Sequence, residues 1–316
     1  MKIVFLDEST LALDGDIDYS GFAALGEYEG YTKSTETETV ARCADAEVVV
    51  SNKVPITAAF MDSLPRLRLV AVIATGYNNV DLDAAKARDI KVCNVAGYAE
   101  NTVPQHTFAL ILNLATKVHL YHTDVQAGGW QASGKFSPLT YPVFELAGRI
   151  LGIIGLGVIG RGVARIAEGF GMKVLANDFV DISGSGYENT PLDTLLGESD
   201  IVTVHTPLTE QTRDVIGAAE IAKMKRTALV INTARGGIVN EQALADALNS
   251  DRLAGAGFDV LSVEPPTDDN PLFSARNMII TPHTAWSAVE ARQNLVDETI
   301  KNIRAFAELR ERNIVV

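Results

Sequence analysis

The chain has 316 residues, of which 47% are hydrophobic, enough for two domains of ordinary size with buried cores. Its formal net charge of −13 at pH 7 excludes nucleic acid and anionic membranes as general partners, because both gain most from a basic face. The two cysteines form no CxxC pattern, and no apolar run reaches the roughly 18 residues needed to cross a bilayer. The N-terminus lacks the features of a signal peptide, so we expect a soluble, cytoplasmic protein with reduced thiols.

Apolar runs alternate with helix-compatible segments along the first hundred residues, a pattern that predicts βαβ units and a parallel sheet. Asp81 is suited to be the N-cap of a helix with an alanine-rich body. We predict a small α/β domain with strands at 2–6, 47–50, 69–74 and 91–95 and helices at 56–63 and 81–88.

The next segment, 100–120, predicts one long helix that begins near Thr102, because Pro104 is tolerated only in the first turn. Several glycines and prolines predict an irregular segment over 126–142. Apolar residues near a 3.6-residue period predict a final helix over 287–310.

The sequence Gly155-Leu-Gly-Val-Ile-Gly160 follows an unbroken apolar run and opens into a helical pattern. Gly155 suits the tight turn, Gly157 allows close approach of a pyrophosphate, and Gly160 allows the helix to pack near the strand. The first free N–H groups of the helix then point at the phosphates. This arrangement predicts a dinucleotide site.

A second predicted strand ends at Asp178, about 20 residues beyond the glycines, where an acid binds the ribose hydroxyls of the cofactor. The residues that follow, Phe179-Val-Asp181, include no cation for a 2′-phosphate, so we expect NAD rather than NADP. The alternative is an ordinary βαβ crossover with a structural glycine turn and a surface acid.

Six strands are predicted in this second part of the chain, the number in a complete doubly wound dinucleotide fold. Ligands of open α/β sheets gather at the carboxyl ends of the strands. The positions after the predicted strands include the segments 205–207 and 233–237, and the residues Asp178, Asp259 and His283.

Two of these positions, Arg235 and His283, carry groups for carbonyl chemistry, and so does Glu264 in the segment after Asp259. Arg235 offers a fork of N–H donors that can bind a carboxylate in two places and polarise a neighbouring carbonyl. We predict that Glu264 supports the imidazole of His283. An imidazole held by a carboxylate in this way can give a proton to a developing alkoxide. Each residue alone would more often be structural, and the combination on adjacent strand ends is what suggests an active site.

These motifs, together with Ala74-Thr-Gly76-Tyr-Asn-Asn-Val-Asp81 and Gln105-His-Thr-Phe-Ala-Leu-Ile-Leu112, resemble those of the NAD-dependent D-2-hydroxyacid dehydrogenases over nearly the whole chain. Within that family the chain is most similar to bacterial glycerate dehydrogenases, also called hydroxypyruvate reductases. Pro104-Gln105 departs from the family's usual Ala-Glu, so Gln105 receives no role.

The resemblance implies two Rossmann-like, doubly wound parallel-sheet domains, the cofactor domain being inserted into a smaller flavodoxin-like substrate domain. Residues 1–99 and 288–316 would form the substrate (catalytic) domain and residues 100–287 the NAD-binding domain, with hinges near residues 99 and 287. It also implies a homodimer that uses the arm around residues 115–145 of the cofactor domain.

The resemblance assigns roles residue by residue. Arg235 orients the substrate, His283 is the general acid–base, and Glu264 supports it. The substrate carboxylate would be bound by Lys53, Thr75, Gly76 and Tyr77. The residues expected at NAD are Thr102, Gly155, Gly157, Val158, Ile159, Gly160, Asp178, His205, Thr206, Pro207, Thr212, Thr233, Ala234, Asp259, Ala285 and Trp286.

Other residues receive plainer interpretations. His119 and His122 lie three residues apart, but no third ligand accompanies them, so we predict an exposed pair and no metal site. His106 is expected in core or hinge packing. Trp130 and Trp286 either line the substrate pocket or pack as ordinary aromatic residues.

The leading hypothesis is a dehydrogenase that interconverts a small 2-keto acid, hydroxypyruvate or glyoxylate, and its D-2-hydroxy acid. One alternative is a reductase of the D-lactate type or for another 2-keto acid. Another is an NAD-sensing binding protein, since corepressors of the C-terminal-binding-protein type resemble these enzymes. The chain ends soon after its last predicted helix, which favours the enzyme.

Overall fold

The computed structural model describes residues 1–316 and divides them into two compact units. The first unit consists of Met1–Ala99 and Trp286–Val316, and the second unit consists of Glu100–Ala285. Each unit contains one parallel sheet, which confirms the predicted fold class. None of the helices combines the length and the apolar character required to cross a membrane.

The first unit is a five-stranded parallel sheet with helices on both faces. Its strands are β1 (Lys2–Phe5), β2 (Glu27–Gly30), β3 (Val48–Ser51), β4 (Leu69–Val72) and β5 (Lys91–Cys93). Its helices are α1 (Ser20–Ala23), α2 (Glu36–Arg42), α3 (Ala58–Asp62), α4 (Leu82–Ala87) and, from the C-terminal part, α12 (Val289–Ala307), with a 3-10 helix at Glu8–Thr10.

Successive residues of the central strands enter two different apolar clusters, which is why both faces of this sheet are buried. Val4 packs in one cluster and Phe5 in the other. The second cluster also takes up the apolar face of α12. The predicted N-cap of α4 is confirmed, since the Asp81 carboxylate accepts the N–H of Ala84 at 2.9 Å. Sequence analysis missed β2 because this edge strand, with two glutamates, has no apolar run.

The second unit is a six-stranded parallel sheet. Its strands are β6 (Ile150–Ile154), β7 (Lys173–Asn177), β8 (Ile201–Val204), β9 (Leu229–Asn232), β10 (Gly255–Phe258) and β11 (Met278–Ile280). Its helices are α5 (Thr102–Thr116), α6 (Val118–Gln126), α7 (Gly129–Ser133), α8 (Val158–Gly169), α9 (Leu192–Glu198), α10 (Ala218–Ile221) and α11 (Glu241–Asn249), with a 3-10 helix at Pro271–Ser274.

The strand order of this sheet is β11-β10-β9-β8-β6-β7, so the chain moves from β6 to β7 on one side and then to β8 on the other. Asn189 forms a single parallel bridge with Ala176 on the outer side of β7. This bridge occupies the place of the third strand in the dinucleotide-binding order 3-2-1-4-5-6. The point where the order reverses therefore lies at the carboxyl end of β6.

Two predictions about the segment after residue 100 were wrong. The long helix is broken at Lys117, which adopts a left-handed conformation (φ 56°, ψ 28°) between α5 and α6. The segment 126–142 is less irregular than predicted, because Gly129–Ser133 forms the short helix α7. The predicted start of α5 at Thr102 is confirmed.

Candidate active site

The glycine turn after β6 has the geometry that a dinucleotide site requires. Gly155 has φ +93°, and a Cβ there would lie 2.7 Å from the backbone of His205 and Thr206. A Cβ at Gly160 would overlap the carbonyl oxygen of Gly155, so the helix approaches the turn only without a side chain. Gly157, the N-cap of α8, faces open space, and a Cβ added there would have no atom within 4 Å.

Asp178 lies beside this turn, directly after β7. Its Oδ2 accepts the N–H of Leu156 at 2.6 Å, which fixes the carboxylate against the glycine turn. Asn189 clamps the Asp178 backbone from both directions, accepting its N–H and donating to its carbonyl, each at 3.0 Å. Sequence reasoning missed Asn189, and only the bridge to β7 explains its position. Phe179 and Val180, which follow the acid, are apolar and exposed, so neither provides a cation for a 2′-phosphate.

Arg235 follows β9 in a turn that is braced by the buried side chain of Asn232. The Asn232 amide accepts the N–H of Ala234 at 3.0 Å and donates to the carbonyl of Arg235 at 2.9 Å. Arg235 is exposed, and one guanidinium nitrogen donates to the carbonyl of Ala234 at 2.7 Å. The guanidinium thus has further donors for a ligand. Asn232, fully buried at a strand end, was also missed by sequence reasoning.

Glu264 and His283 are in direct contact. Nδ1 of His283 lies 2.6 Å from Oε2 of Glu264, and because an ionised carboxylate only accepts, the imidazole donates here. The other carboxylate oxygen accepts the N–H of Leu261 at 2.9 Å. Glu241, at the start of α11, accepts the N–H and hydroxyl of Ser262, both at 2.6 Å, and so anchors the loop that carries Glu264.

The loop of His283 is organised by Asp259, whose carboxylate is buried. Its oxygens accept the N–H groups of Thr284 and Ala285 at 2.9 and 2.7 Å. The backbone of His283 is in the left-handed conformation (φ 54°), and its N–H donates to the carbonyl of Asp259 at 2.8 Å. His106, for which we expected core or hinge packing, is half-buried, and its Nε2 lies 2.9 Å from the hydroxyl of Thr281 in the same loop.

His205 follows β8 and contacts the glycine turn through its backbone, whose N–H donates to Ile154 at 2.7 Å. Its Nε2 lies 2.9 Å from the hydroxyl of Thr203, and its Nδ1 is buried with no hydrogen-bond partner. Burial lowers the pKa of His205 to about 3, because the charged imidazolium would lose its hydration there. The ring is therefore neutral at physiological pH.

The remaining predicted cofactor residues of the second unit fall into two groups. Val158 and Ile159 open α8, and Thr102 opens α5. The others lie after strands β8 and β9, where the hydroxyls of Thr212 and Thr233 are bonded internally, to Pro207 at 2.6 Å and Thr107 at 2.9 Å. Thr206 is buried, and Ala234 is half-buried beside Arg235.

Five predicted residues belong to the first unit. Trp286 packs edge-on against Tyr98, with ring centroids 6.4 Å apart. Lys53 is exposed after β3, and Thr75, Gly76 and Tyr77 are exposed after β4. The N–H groups of these last three residues make no hydrogen bond within the protein and can therefore bind an anion.

The second unit fits a bound dinucleotide and offers no site for a metal. The open space at Gly157, the free first turn of α8 and the carboxylate of Asp178 match the pyrophosphate and ribose of NAD. No group of three or more His, Cys, Asp or Glu side chains lies close enough together to bind a metal ion. His119 and His122 on α6 are exposed, as predicted.

The comparisons with known proteins agree with this geometry. Residues 108–285 match the model of the D-isomer specific 2-hydroxyacid dehydrogenase NAD-binding domain. The chain is 44% identical to a glycerate dehydrogenase of Methylorubrum extorquens, over 99% of this chain and 98% of the relative. It is 40% identical to a hydroxypyruvate reductase of Blautia hydrogenotrophica, over 100% and 99%.

Among solved structures, it resembles the NAD complex of a D-isomer specific 2-hydroxyacid dehydrogenase from Lactobacillus delbrueckii ssp. bulgaricus. The TM-score is 0.82 and the identity 26%, with both chains covered completely. Sequence, fold and the residues at the strand ends lead to one conclusion: the chain belongs to the NAD-dependent D-isomer-specific 2-hydroxyacid dehydrogenases.

Proposed function

We propose that this protein reduces hydroxypyruvate or glyoxylate to the D-2-hydroxy acid with NADH, and catalyses the reverse reaction with NAD. The observation that carries the proposal is the Glu264–His283 pair, with 2.6 Å between carboxylate and imidazole, next to a dinucleotide-binding sheet. The full-length relatives named glycerate dehydrogenase and hydroxypyruvate reductase support this choice of substrate.

When bound, NADH supplies the hydride that the keto carbon accepts. The guanidinium of Arg235 binds the substrate carboxylate and polarises the carbonyl, which its planar fork of donors allows. His283 gives its Nε2 proton to the carbonyl oxygen as that oxygen becomes a hydroxyl. Glu264 accepts the hydrogen bond from Nδ1 and so orients the ring for the transfer.

The first unit would supply the remaining contacts to the substrate carboxylate. We propose that the unused N–H groups of Thr75, Gly76 and Tyr77 bind it, and that Lys53 adds positive charge. In this scheme the first unit is the substrate domain and the second unit the cofactor domain. The buried Asp259 acts on the loop of His283, and the residues around the glycine turn bind NAD.

The direct test measures turnover of hydroxypyruvate, glyoxylate and pyruvate with NADH and with NADPH, followed by the absorbance of the reduced nicotinamide. We expect hydroxypyruvate or glyoxylate to give the highest kcat/KM, and NADH to be preferred. His283→Ala should lower kcat by about 10²- to 10⁴-fold, the usual contribution of a general acid–base. The control is His119→Ala, at an exposed histidine outside the site.

The outcomes separate the competing functions. A native rate in the His283→Ala variant would contradict the mechanism. A preference for pyruvate would indicate a D-lactate-type reductase, and tight NADH binding without turnover of any keto acid would indicate an NAD-sensing binding protein.

We further propose a homodimer formed through the arm around residues 115–145 of the second unit. This segment exposes an unusual set of large apolar side chains, which is typical of an interface. They are Val118, Val125, Trp130, Phe136, Leu139 and Val143. Light scattering should give twice the chain mass, and Phe136→Ser with Leu139→Ser should shift it toward the monomer. The cytoplasmic location stays a prediction.

A further inference from the structure

The sheet of the first unit has its own reversal point. Its order is β2-β1-β3-β4-β5, so the chain moves from β1 to β2 on one side and then to β3 on the other. In open parallel sheets, ligands bind at the carboxyl ends of the two strands that flank such a point. The segments that follow these strands are the one containing Asp7, after β1, and the turn Asn52-Lys53-Val54, after β3.

Asp7 joins these two segments. Its Oδ1 accepts the N–H of Asn52 at 3.0 Å, and its Oδ2 accepts the N–H groups of Lys53 at 2.7 Å and Val54 at 3.3 Å. The same turn is braced from outside, because the Asn52 amide donates to the hydroxyl of Thr10 at 2.9 Å. One carboxylate therefore determines the backbone position of three consecutive residues.

Using a buried carboxylate to hold this turn carries a desolvation penalty. Asp7 is 3% exposed, and desolvation raises its pKa although three N–H groups and the nearby Lys53 charge lower it. Asp7 also precedes the 3-10 helix Glu8–Thr10 without capping it through its side chain. A buried carboxylate that weakens the fold in its charged form is often retained for a function.

The hydrogen bonds to Asp7 determine which groups of this turn remain available to bind an anion. All three N–H groups of Asn52, Lys53 and Val54 are bonded to Asp7 and cannot bind a ligand. The side chain of Lys53 is exposed, and its ammonium makes no hydrogen bond or ion pair. The turn therefore offers a ligand one cation, and Asp7 fixes the backbone from which that side chain extends.

We propose that Asp7 is a positioning residue for substrate binding, which fixes the Asn52-Lys53-Val54 turn so that the Lys53 ammonium meets the carboxylate of the 2-keto acid. This inference rests on the proposed reductase function and concerns only its substrate affinity. Because the carboxylate charge of the substrate is the same before and after hydride transfer, loss of this contact should raise KM more than it lowers kcat.

The test is a double-mutant cycle of Asp7→Asn and Lys53→Met, with KM for hydroxypyruvate, KM for NADH and kcat as readouts. Asparagine keeps the shape but replaces one acceptor oxygen with a donor. We expect Lys53→Met to raise the keto-acid KM about tenfold or more, as for one lost charged hydrogen bond. Asp7→Asn should raise it several-fold, and KM for NADH should not change.

In the Lys53→Met background, Asp7→Asn should have no further effect on the keto-acid KM, because the two residues act on one contact. Independent, additive effects of the two substitutions would overturn the proposal, as would an unchanged KM in Asp7→Asn. Asp14→Asn, at an exposed acid nearby, is the matched control for the loss of one negative charge.

If Asp7→Asn does not fold, Thr10→Val decides instead, since it leaves the Asp7 carboxylate in place and removes the acceptor of the Asn52 amide together with the bond from the Thr10 hydroxyl to the Asp7 carbonyl. A threefold or larger increase in the keto-acid KM supports the proposal, and an unchanged KM overturns it. A wild-type protein that reduces no 2-keto acid would refute the proposed function, an outcome distinct from either of these.

Discussion

Gly157→Ala separates the demands of the fold from those of the cofactor. In the protein alone, a Cβ at Gly157 meets no atom within 4 Å, and its backbone is extended, so alanine fits there without strain. If a pyrophosphate lies against this residue, however, the added methyl group occupies the space of the ligand. The substitution should therefore weaken NADH binding while leaving the apo-protein almost unchanged.

The two effects differ in magnitude. As an N-cap, alanine lowers the free energy of unfolding by about 0.5–1 kcal/mol relative to glycine. Because alanine also lowers the entropy of the unfolded chain, it raises the same free energy by a similar amount. We expect Tm to change by less than about 4 °C. For NADH we expect a 10- to 100-fold higher Kd, or about 1.4–2.7 kcal/mol.

Gly155→Ala is the opposite case. At φ +93° alanine costs about 1–2 kcal/mol, and its Cβ would lie 2.7 Å from the backbone of His205 and Thr206. We expect a loss of about 2 kcal/mol or more and a fall in Tm of at least about 4 °C, since a buried backbone contact cannot relax cheaply.

Titration calorimetry with NADH and thermal unfolding of the apo-proteins provide the measurements. A wild-type Kd for NADH in Gly157→Ala would refute the assigned path of the pyrophosphate. If Tm of the Gly157→Ala apo-protein fell as far as that of Gly155→Ala, the turn would accept a side chain at neither glycine. The proposed difference between the two glycines would then be wrong.

Three further predictions follow from the site. Arg235→Lys should lower kcat/KM at least about 100-fold, because a point charge cannot replace the planar fork, and steady-state kinetics on the leading keto acid would measure this. Asp178→Ala should raise the kcat/KM ratio of NADPH to NADH, by removing the charge that repels a 2′-phosphate, and an unchanged ratio would contradict its role. His205 has a folded pKa of about 3 against 6.5 unfolded, so the unfolded state binds the extra proton and stability falls as pH drops below 6.5. Urea unfolding at about pH 7.5 and 5.5 should show a smaller pH dependence in His205→Gln than in the wild type.

The sequence predicted most strands because both sheets are parallel and buried on both faces, which requires long apolar runs. The strand β2 was not predicted, because an edge strand that is only partly buried needs no apolar run. The break at Lys117 also escaped, since a single residue in the left-handed conformation leaves the apolar period on either side almost unchanged. Residue chemistry at strand ends was easier to predict, because the ends of parallel strands share one edge of the sheet.

The supporting residues of the site could not be predicted, because their function depends on contacts between distant parts of the chain. Asn232, Asn189 and Glu241 are ordinary polar residues in the sequence, without a motif around them. Their roles follow only from their hydrogen bonds. Asn232 bonds to the Arg235 turn, Asn189 to the Asp178 backbone, and Glu241 to the loop that carries Glu264. Asp7 is missed for the same reason, since its partners lie 45 to 47 residues away.

The glycine after Arg235 shows how two of the predicted functional loops depend on each other. A Cβ at Gly236 would overlap the backbone of Leu261 and Ser262, so the Arg235 turn packs directly against the loop that carries Glu264. The Glu264 loop is anchored by Glu241 and closed by the bond from Leu261 to Glu264 itself. Since neither loop backbone can shift without the other, the turn of Arg235 and the loop of Glu264 keep a fixed relation, which is what the proposed catalysis by preorganised groups requires.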